Sequence, residues 1–520
     1  MKSIKTKLIL FGMVSVLIIF SIVFILNKPM EVEATNNVEY TLNGLPADIV
    51  EQIDAHRITT DLSTEEMEKK FKKYLYNNYT SLEEGLDQIP KNDQIKDGFS
   101  EYMLVQGHML TYEEAEEDVN YLFTNMKYGY AGYEYFGGDE KFNKVKRKIV
   151  EEVKKSKDEY GRIETIAFNQ IIINNLSFIK DGNFRINYMA LTDTTYAFMN
   201  KNENIMKDHN IFYIKEGNKK YPILSIEGKD PVNYIKLSLD EDGKIIYKIV
   251  YLKDIRKASL DIHITLKDKE KEVQKKMKLK RVIPPRKGLQ LNDYEFKKIQ
   301  GIPVFKVSSF YSDVEKLSKD GLKYVDEKIA ILDLRGNGEG RIDYGWEWIS
   351  NFTKNKVNSF NLINSEIITE VSKKRVLDIC HTNNFKTEKF QEYYNSIKKS
   401  DLVGWEKIST PKLEKLKNDK VIIVLFDKNS ASASEVMISN LSRMDNVIFI
   451  GMNSAGALNI HGPAINILPN SKFRVKAGCG IGIETDFVWR DGIGYFPDFW
   501  VESDEALDRT IKFINNYIKH

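Results

Sequence analysis

Along this 520-residue chain the spacing of apolar residues changes character several times. Residues 8–26, LILFGMVSVLIIFSIVFIL, form an uncharged run about as long as a bilayer-crossing helix requires. Residues 28–60 are polar and weakly patterned, and read as a linker. At 111–126, TYEEAEEDVNYLFTNM, the residues Ala115, Val119, Leu122, Phe123 and Met126 share one helical face, and Thr111 and Glu114 have capping-box spacing. This predicts an amphipathic helix with acidic residues in its first turn, where the helix dipole favours them. The aromatic and glycine-rich YGYAGYEYFGG at 128–138 reads as a tight loop pinned by buried rings, with the lip of a groove as the other reading.

From 205 to 290 the period shortens to that of strands. FYIKE, YPILSI, KIIYKIVYL and LDIHITL are separated by charged or Gly/Asn/Asp turns, which predicts a small β-rich module inserted between helical and α/β parts. Beyond 295 the runs GIPVFKV (301–307), KIAILDLRGNGEG (328–340) and KVIIVLFDKNSASASEVMISNL (420–441) each place continuous apolar residues before a loop or helix start. That pattern predicts buried, largely parallel strands of an α/β layer. The resulting layout is 1–27 cytoplasmic tip and membrane span, 28–60 linker, 61–204 mostly helical, 205–290 β-rich, and 295–520 α/β.

Charge adds little to this picture except at the N-terminus. With 77 basic and 75 acidic residues well mixed, nothing marks a nucleic-acid footprint. Lys2, Lys5 and Lys7 precede the apolar run, so that end is expected in the cytoplasm and the rest outside the cell membrane as a single-pass protein. Cleavage after Val32-Glu33-Ala34, giving a secreted form, is the alternative. Only Cys380 and Cys479 are present, which makes no disulfide framework, and no metal or cofactor motif is found.

The stretch FDKNSASASEVM, 426–437, carries the chemistry. A strand, a sharp turn and a helix beginning at small residues put a side chain where backbone N–H groups point outward, and such a place stabilises developing negative charge. Ser432 suits a nucleophile there, between Ala431 and Ala433. Ser432 and Glu435 also have capping-box spacing, so Ser432 as a plain helix cap remains open.

ILDLRGNGEG (331–340), SASASE (430–435) and DGIGYFPDFWV (491–501), in that order, resemble the tail-specific, or C-terminal-processing, serine proteases and their tricorn-like relatives. LSFIKDGNFRI (176–186) looks like the family's strand with an Asp-Gly-His signature. The resemblance implies an α/β fold with a crotonase/ClpP-like core, an N-terminal helical region, and the β-rich module in the place of a PDZ domain. No Gly-Leu-Gly-Phe-type carboxylate loop is found in 205–290. It implies Ser432 as nucleophile, with the amide of Ser432 itself or of Ala433 and an amide of the Gly338-Glu339 loop as oxyanion donors. Glu339 stands where the family has glycine, and Asp491 matches the supporting acid, one methylene shorter than the usual glutamate.

Both base positions of the family are filled by non-bases: Ala457 at the lysine position and Asn183 at the histidine position. His461, four residues beyond Ala457, is the remaining candidate. The expected function is a serine peptidase acting on peptides or proteins and impaired for want of a base. A pseudoprotease that binds such segments without cutting, and an apolar-ligand binder, are the alternatives.

Overall fold

The computed structural model describes residues 41–77, 108–191, 195–201, 205–284, 293–311, 314–338, 340–369, 404–412 and 415–519, with positions 392 and 395. The apolar run 8–26, Glu339 and Cys380 lie outside the described residues. Among the described residues no helix is long and apolar enough to cross a membrane.

The sheet that carries the serine motif has six strands in the order Tyr294–Ile299, Ile302–Val307, Ile329–Asp333, Val421–Phe426, Val447–Gly451 and Phe499–Trp500. The first two form an antiparallel hairpin, and every later pairing is parallel. The unbroken apolar run 421–426 follows from burial on both faces, since a strand alternates sides. Ile422, Val424 and Phe426 join Trp348, Phe352 and Met437 in one core, beneath the helices Asp343–Thr353 and Ala433–Leu441. Val421, Ile423 and Leu425 join Phe513 and Ile514 of the helix Ala506–Tyr517 on the other face.

A second, antiparallel sheet is centred on the strand Arg474–Ile483, which pairs with Ile363–Ile368, Ile460–Ile467 and Arg185–Ile186. It packs with the helices Tyr112–Gly129, Gly138–Ser156 and Thr165–Leu176. The first of these begins with the expected capping box of Thr111 and Glu114, and all five residues of its predicted apolar face are buried. Within YGYAGYEYFGG, residues 130–137 turn between the first two helices, Tyr130 and Tyr133 are buried, and the N–H of Ala131 donates to the carbonyl of Gly478 at 2.9 Å. Only Arg185–Ile186 of the LSFIKDGNFRI stretch forms a strand.

The β-rich part forms an eight-stranded sheet. Its strand Tyr196–Met199 pairs with both Leu279-flanking residues 280–281 and residues 250–253, so the sheet closes on itself. This corrects the boundary at 205, because 196–199 belongs with the later strands. The signal was weak locally: four residues whose partners lie more than fifty positions away.

The linker reading of 28–60 is also corrected over its described part. Residues 47–55 form a helix whose Ile49 and Ile53, at i and i+4, are buried with Leu45 against Leu237 and Leu239. Arg57 then forms a two-pronged ion pair with buried Asp498, at 2.9 and 3.0 Å, and donates to the carbonyl of Val447 at 2.7 Å. Two isoleucines in a polar stretch are too few to announce a helix without the surface they cover.

Candidate active site

Strand Val421–Phe426 ends in a turn bolted to the RGNG loop. Asp427 Oδ1 accepts the N–H groups of Gly336 at 3.1 Å and Asn429 at 2.9 Å, and Ser503 Oγ donates to Asp427 Oδ2 at 2.6 Å. The carbonyl of Asn337 accepts from Ala431 N–H at 2.9 Å and Ser434 Oγ at 3.0 Å, while Ser430 Oγ donates to the carbonyl of Leu334 at 2.8 Å. A Cβ on Gly338 would lie 3.7 Å from the Asn429 carbonyl, so the two segments run side by side. Behind the loop, Arg335 is bonded through both arms to Asp333, and Lys306 donates to Asp333 Oδ1 at 3.3 Å.

Ser432 stands at the head of the helix Ala433–Leu441 with φ 53° and ψ −111°. This is a conformation that a non-glycine residue seldom adopts, costing on the order of 1–3 kcal/mol. The N–H of Ser432 donates to Glu435 Oε2 at 3.1 Å, so the residue's own amide is committed. Ala433 opens the helix, and first-turn N–H groups have no partner within their own helix.

Glu435 does more than cap. Fully buried, it accepts Ser454 Oγ–H at 2.6 Å and the N–H groups of Gly456 and Ala457, both at 2.8 Å. Burial pushes its carboxyl above the usual range against these donors. Through Glu435, the Ser432 turn and the Ala457 loop are tied to one acid.

The structure brings Asn183, Ala457 and Asp491 together. Asn183 Nδ2 donates to the carbonyls of Ala457 at 3.0 Å and Ile460 at 2.8 Å. Asp491 Oδ1 accepts the N–H groups of Leu458 and Asn459, each at 2.8 Å, and its Oδ2 accepts that of Gly182 at 3.1 Å. Gly182 permits this approach, since a Cβ there would lie 2.0 Å from the Gly456 carbonyl. Asp181 Oδ1 accepts Asn183 N–H at 2.7 Å and its Oδ2 accepts Tyr130 Oη–H at 3.0 Å. Burial pushes Asp181 up to about 6, and burial together with the charge of Asp181 pushes Asp491 well above the ordinary value.

His461 is corrected as the candidate base. Both ring nitrogens are buried and without a hydrogen-bond partner, so neither contacts Ser432 Oγ. The ring lies in the slot left by two glycines: a Cβ on Gly480 would sit 2.4 Å from Nε2, and one on Gly482 3.4 Å from the ring. Phe360 packs beside it at 5.2 Å, and burial holds the imidazole down to about 4, hence neutral near pH 7. Strand alternation carried its side chain to this slot.

One residue escaped sequence reasoning. Lys428, four positions before Ser432, is 8 % exposed, and its Nζ donates to the carbonyls of Ser454 at 2.9 Å, Ala455 at 3.1 Å, and Gly492 and Ile493 at 3.4 Å. Nothing local distinguishes a lysine in a turn that will be buried from one in water. Among the described residues no lysine, histidine or carboxylate is hydrogen-bonded to Ser432 Oγ.

Comparison with known proteins bears on this arrangement. No curated protein matches the chain. Among solved structures, mature CPAF is 12% identical, covering 78% of this chain and 97% of its own, with a TM-score of 0.42. The photosystem II D1 C-terminal processing protease is 12% identical over 76% of this chain and 97% of its own, with a TM-score of 0.35. The tricorn protease is 11% identical over 77% of this chain and 36% of its own, with a TM-score of 0.29. The family model described as Peptidase family S41 matches residues 301–475, the segment that holds the RGNG loop, Ser432 and Ala457. Over that segment the chain is similar to the S41 peptidases, the tail-specific serine protease family.

Proposed function

We propose that the protein is a membrane-anchored, extracytoplasmic serine peptidase of the tail-specific type, with a crotonase/ClpP-like core, that cuts peptide or protein segments slowly. Its N-terminal run 8–26 is the anchor, the β-rich module from 196 to 281 is an insertion, and 295–520 is the peptidase part. In this reading Ser432 Oγ attacks the scissile carbonyl carbon, and the amide N–H groups of Ala433 and Gly338 receive the oxyanion. The C–N bond breaks as the leaving nitrogen takes a proton from solvent, giving acyl-Ser432 and a free amine; water then attacks the acyl carbon, and the Oγ–C bond breaks to release the acid and restore the Ser432 hydroxyl. The proton of Ser432 passes to solvent, because Asn183 and Ala457 cannot accept it.

The observation that carries the proposal is the backbone of Ser432, φ 53° and ψ −111°. A helix cap needs only extended backbone, whereas a strained residue between strand and helix presents its hydroxyl for attack. The test is a fluorophosphonate, whose P–F bond is broken as Oγ–P forms, followed by casein hydrolysis. Modification mapped to Ser432, with weak casein cleavage lost in Ser432→Ala, is the expected result. Unmodified Ser432 would remove the nucleophile reading.

The second reading is a pseudoprotease that holds segments without cutting. It is favoured by Asn183, whose amide nitrogen is spent on two carbonyls, so a base position has become a structural bracket. Modification at Ser432 with no detectable hydrolysis, together with saturable peptide binding, would establish it.

A further inference from the structure

The geometry points to Lys428 as a positioning residue that locks the two loops of the proposed active site to each other and thereby sets the reactivity of Ser432. This rests on the nucleophile reading of Ser432, and goes beyond it to a side chain with no counterpart among the base, acid and oxyanion positions considered above.

The loop 454–457 supplies Gly456 and Ala457 N–H groups to Glu435, which in turn holds Ser432 N–H. The loop 490–494 supplies the Asp491 carboxylate that holds Leu458, Asn459 and Gly182. Lys428 Nζ reaches carbonyls of both: Ser454 and Ala455 on the first, Gly492 and Ile493 on the second. The loops also touch directly, through Gly492 N–H to the Gly456 carbonyl at 2.8 Å and Ser454 N–H to the Tyr495 carbonyl at 3.0 Å. Room for this contact comes from Gly494, where a Cβ would lie 2.2 Å from the Ser454 carbonyl.

Four carbonyl oxygens around one ammonium would repel one another without it. Burial pulls Lys428 down to about 7, even with the charge of Glu435 opposing that fall. An amine so placed is a poor base, since its N–H groups are already directed at carbonyls. It is a good clamp, because removing it takes from the Ser454 and Ala455 carbonyls the buried donor they share, and leaves those of Gly492 and Ile493 with Thr195 N–H and Asn453 Nδ2, so the two loops lose the side chain that joins them. A displacement of about 1 Å at a reacting group can cost about a hundredfold in rate, so loosening either loop should reach Ser432 through Glu435.

The experiment uses the full-length protein and compares Lys428→Met, Glu435→Gln and the double variant. Fluorophosphonate modification of Ser432 is resolved into a saturation constant and a maximal rate, alongside thermal melting. Lys428→Met is expected to lower the maximal rate by about tenfold or more with the saturation constant unchanged. The double variant is expected to be slow as well, because the amide nitrogen introduced by Glu435→Gln cannot accept the hydrogen bonds that one carboxylate oxygen held. Reactivity that simply follows melting temperature, or a Lys428→Met rate equal to wild type, overturns the proposal. Hydrogen exchange gives a readout independent of the nucleophile: faster exchange confined to 453–459 and 490–495 in Lys428→Met is expected, and unchanged exchange there overturns it. Wild-type Ser432 that resists modification, combined with that loosened exchange, would refute the nucleophile reading and leave the clamp standing.

Discussion

Asn183 Nδ2 donates a hydrogen bond to the carbonyl of Ala457 at 3.0 Å. The two positions at which the resemblance would put a histidine or a lysine are therefore neighbours in space, although 274 residues separate them. The side-chain amide at one position braces the backbone of the other.

Asn183→His is expected to raise casein hydrolysis by the general-base contribution, about 10²–10⁴ in rate. A ring N–H can replace one of the bonds to Ala457 or Ile460, leaving the other nitrogen to take the proton, with Asp491 held one residue away through Gly182 N–H. The gain should vanish when Ser432→Ala is added. No gain with a folded variant would count against the impaired-enzyme reading.

Ser432→Gly separates reactivity from stability. Glycine takes φ 53° without a Cβ penalty, so the variant should melt higher, by roughly 1–2 kcal/mol in stability. Fluorophosphonate modification should disappear at the same time. A lower melting temperature in urea or heat titrations would mean that the serine side chain itself supports the fold.

Stability should depend on pH through Asp181. Its folded value, pushed up to about 6, lies above that of an unfolded aspartate, about 3.9. The folded protein thus binds the proton more tightly. This contribution is complete below about pH 4 and is lost as the pH rises through about 6, worth at most roughly 3 kcal/mol. Asp181→Asn should flatten that part of the melting-temperature profile between pH 4 and 7. Superimposable slopes for the two proteins would show that another group governs it.

Arg57→Ala tests the docking of the N-terminal segment. Asp498 is 1% exposed, and without Arg57 only His56, at 3.7 Å, and backbone N–H groups such as that of Phe449 remain beside it. Leaving this carboxylate unpaired should cost about 3 kcal/mol in urea unfolding. A loss near zero would mean that 41–57 rests on the fold without stabilising it.

Local pattern alone announced the elements whose cause is local. The capping box and apolar face of 112–129, the doubly buried strand 421–426, and the turn that lifts Ser432 all follow from residues within a few positions of one another. The amino-acid order also singled out Asn183, Ala457 and Asp491, through motif likeness rather than spacing. What those residues touch was decided by tertiary structure. The Asn183–Ala457 bond, the closure of the β sheet through 196–199, the docking of 47–55 onto Leu237 and Leu239, and the slot that removes His461 from the site are all contacts between distant segments. Lys428 shows the physical reason most plainly. A lysine in a turn has the same local sequence whether it meets water or four carbonyls, and only the arrival of the loops 454–455 and 492–493 determines which.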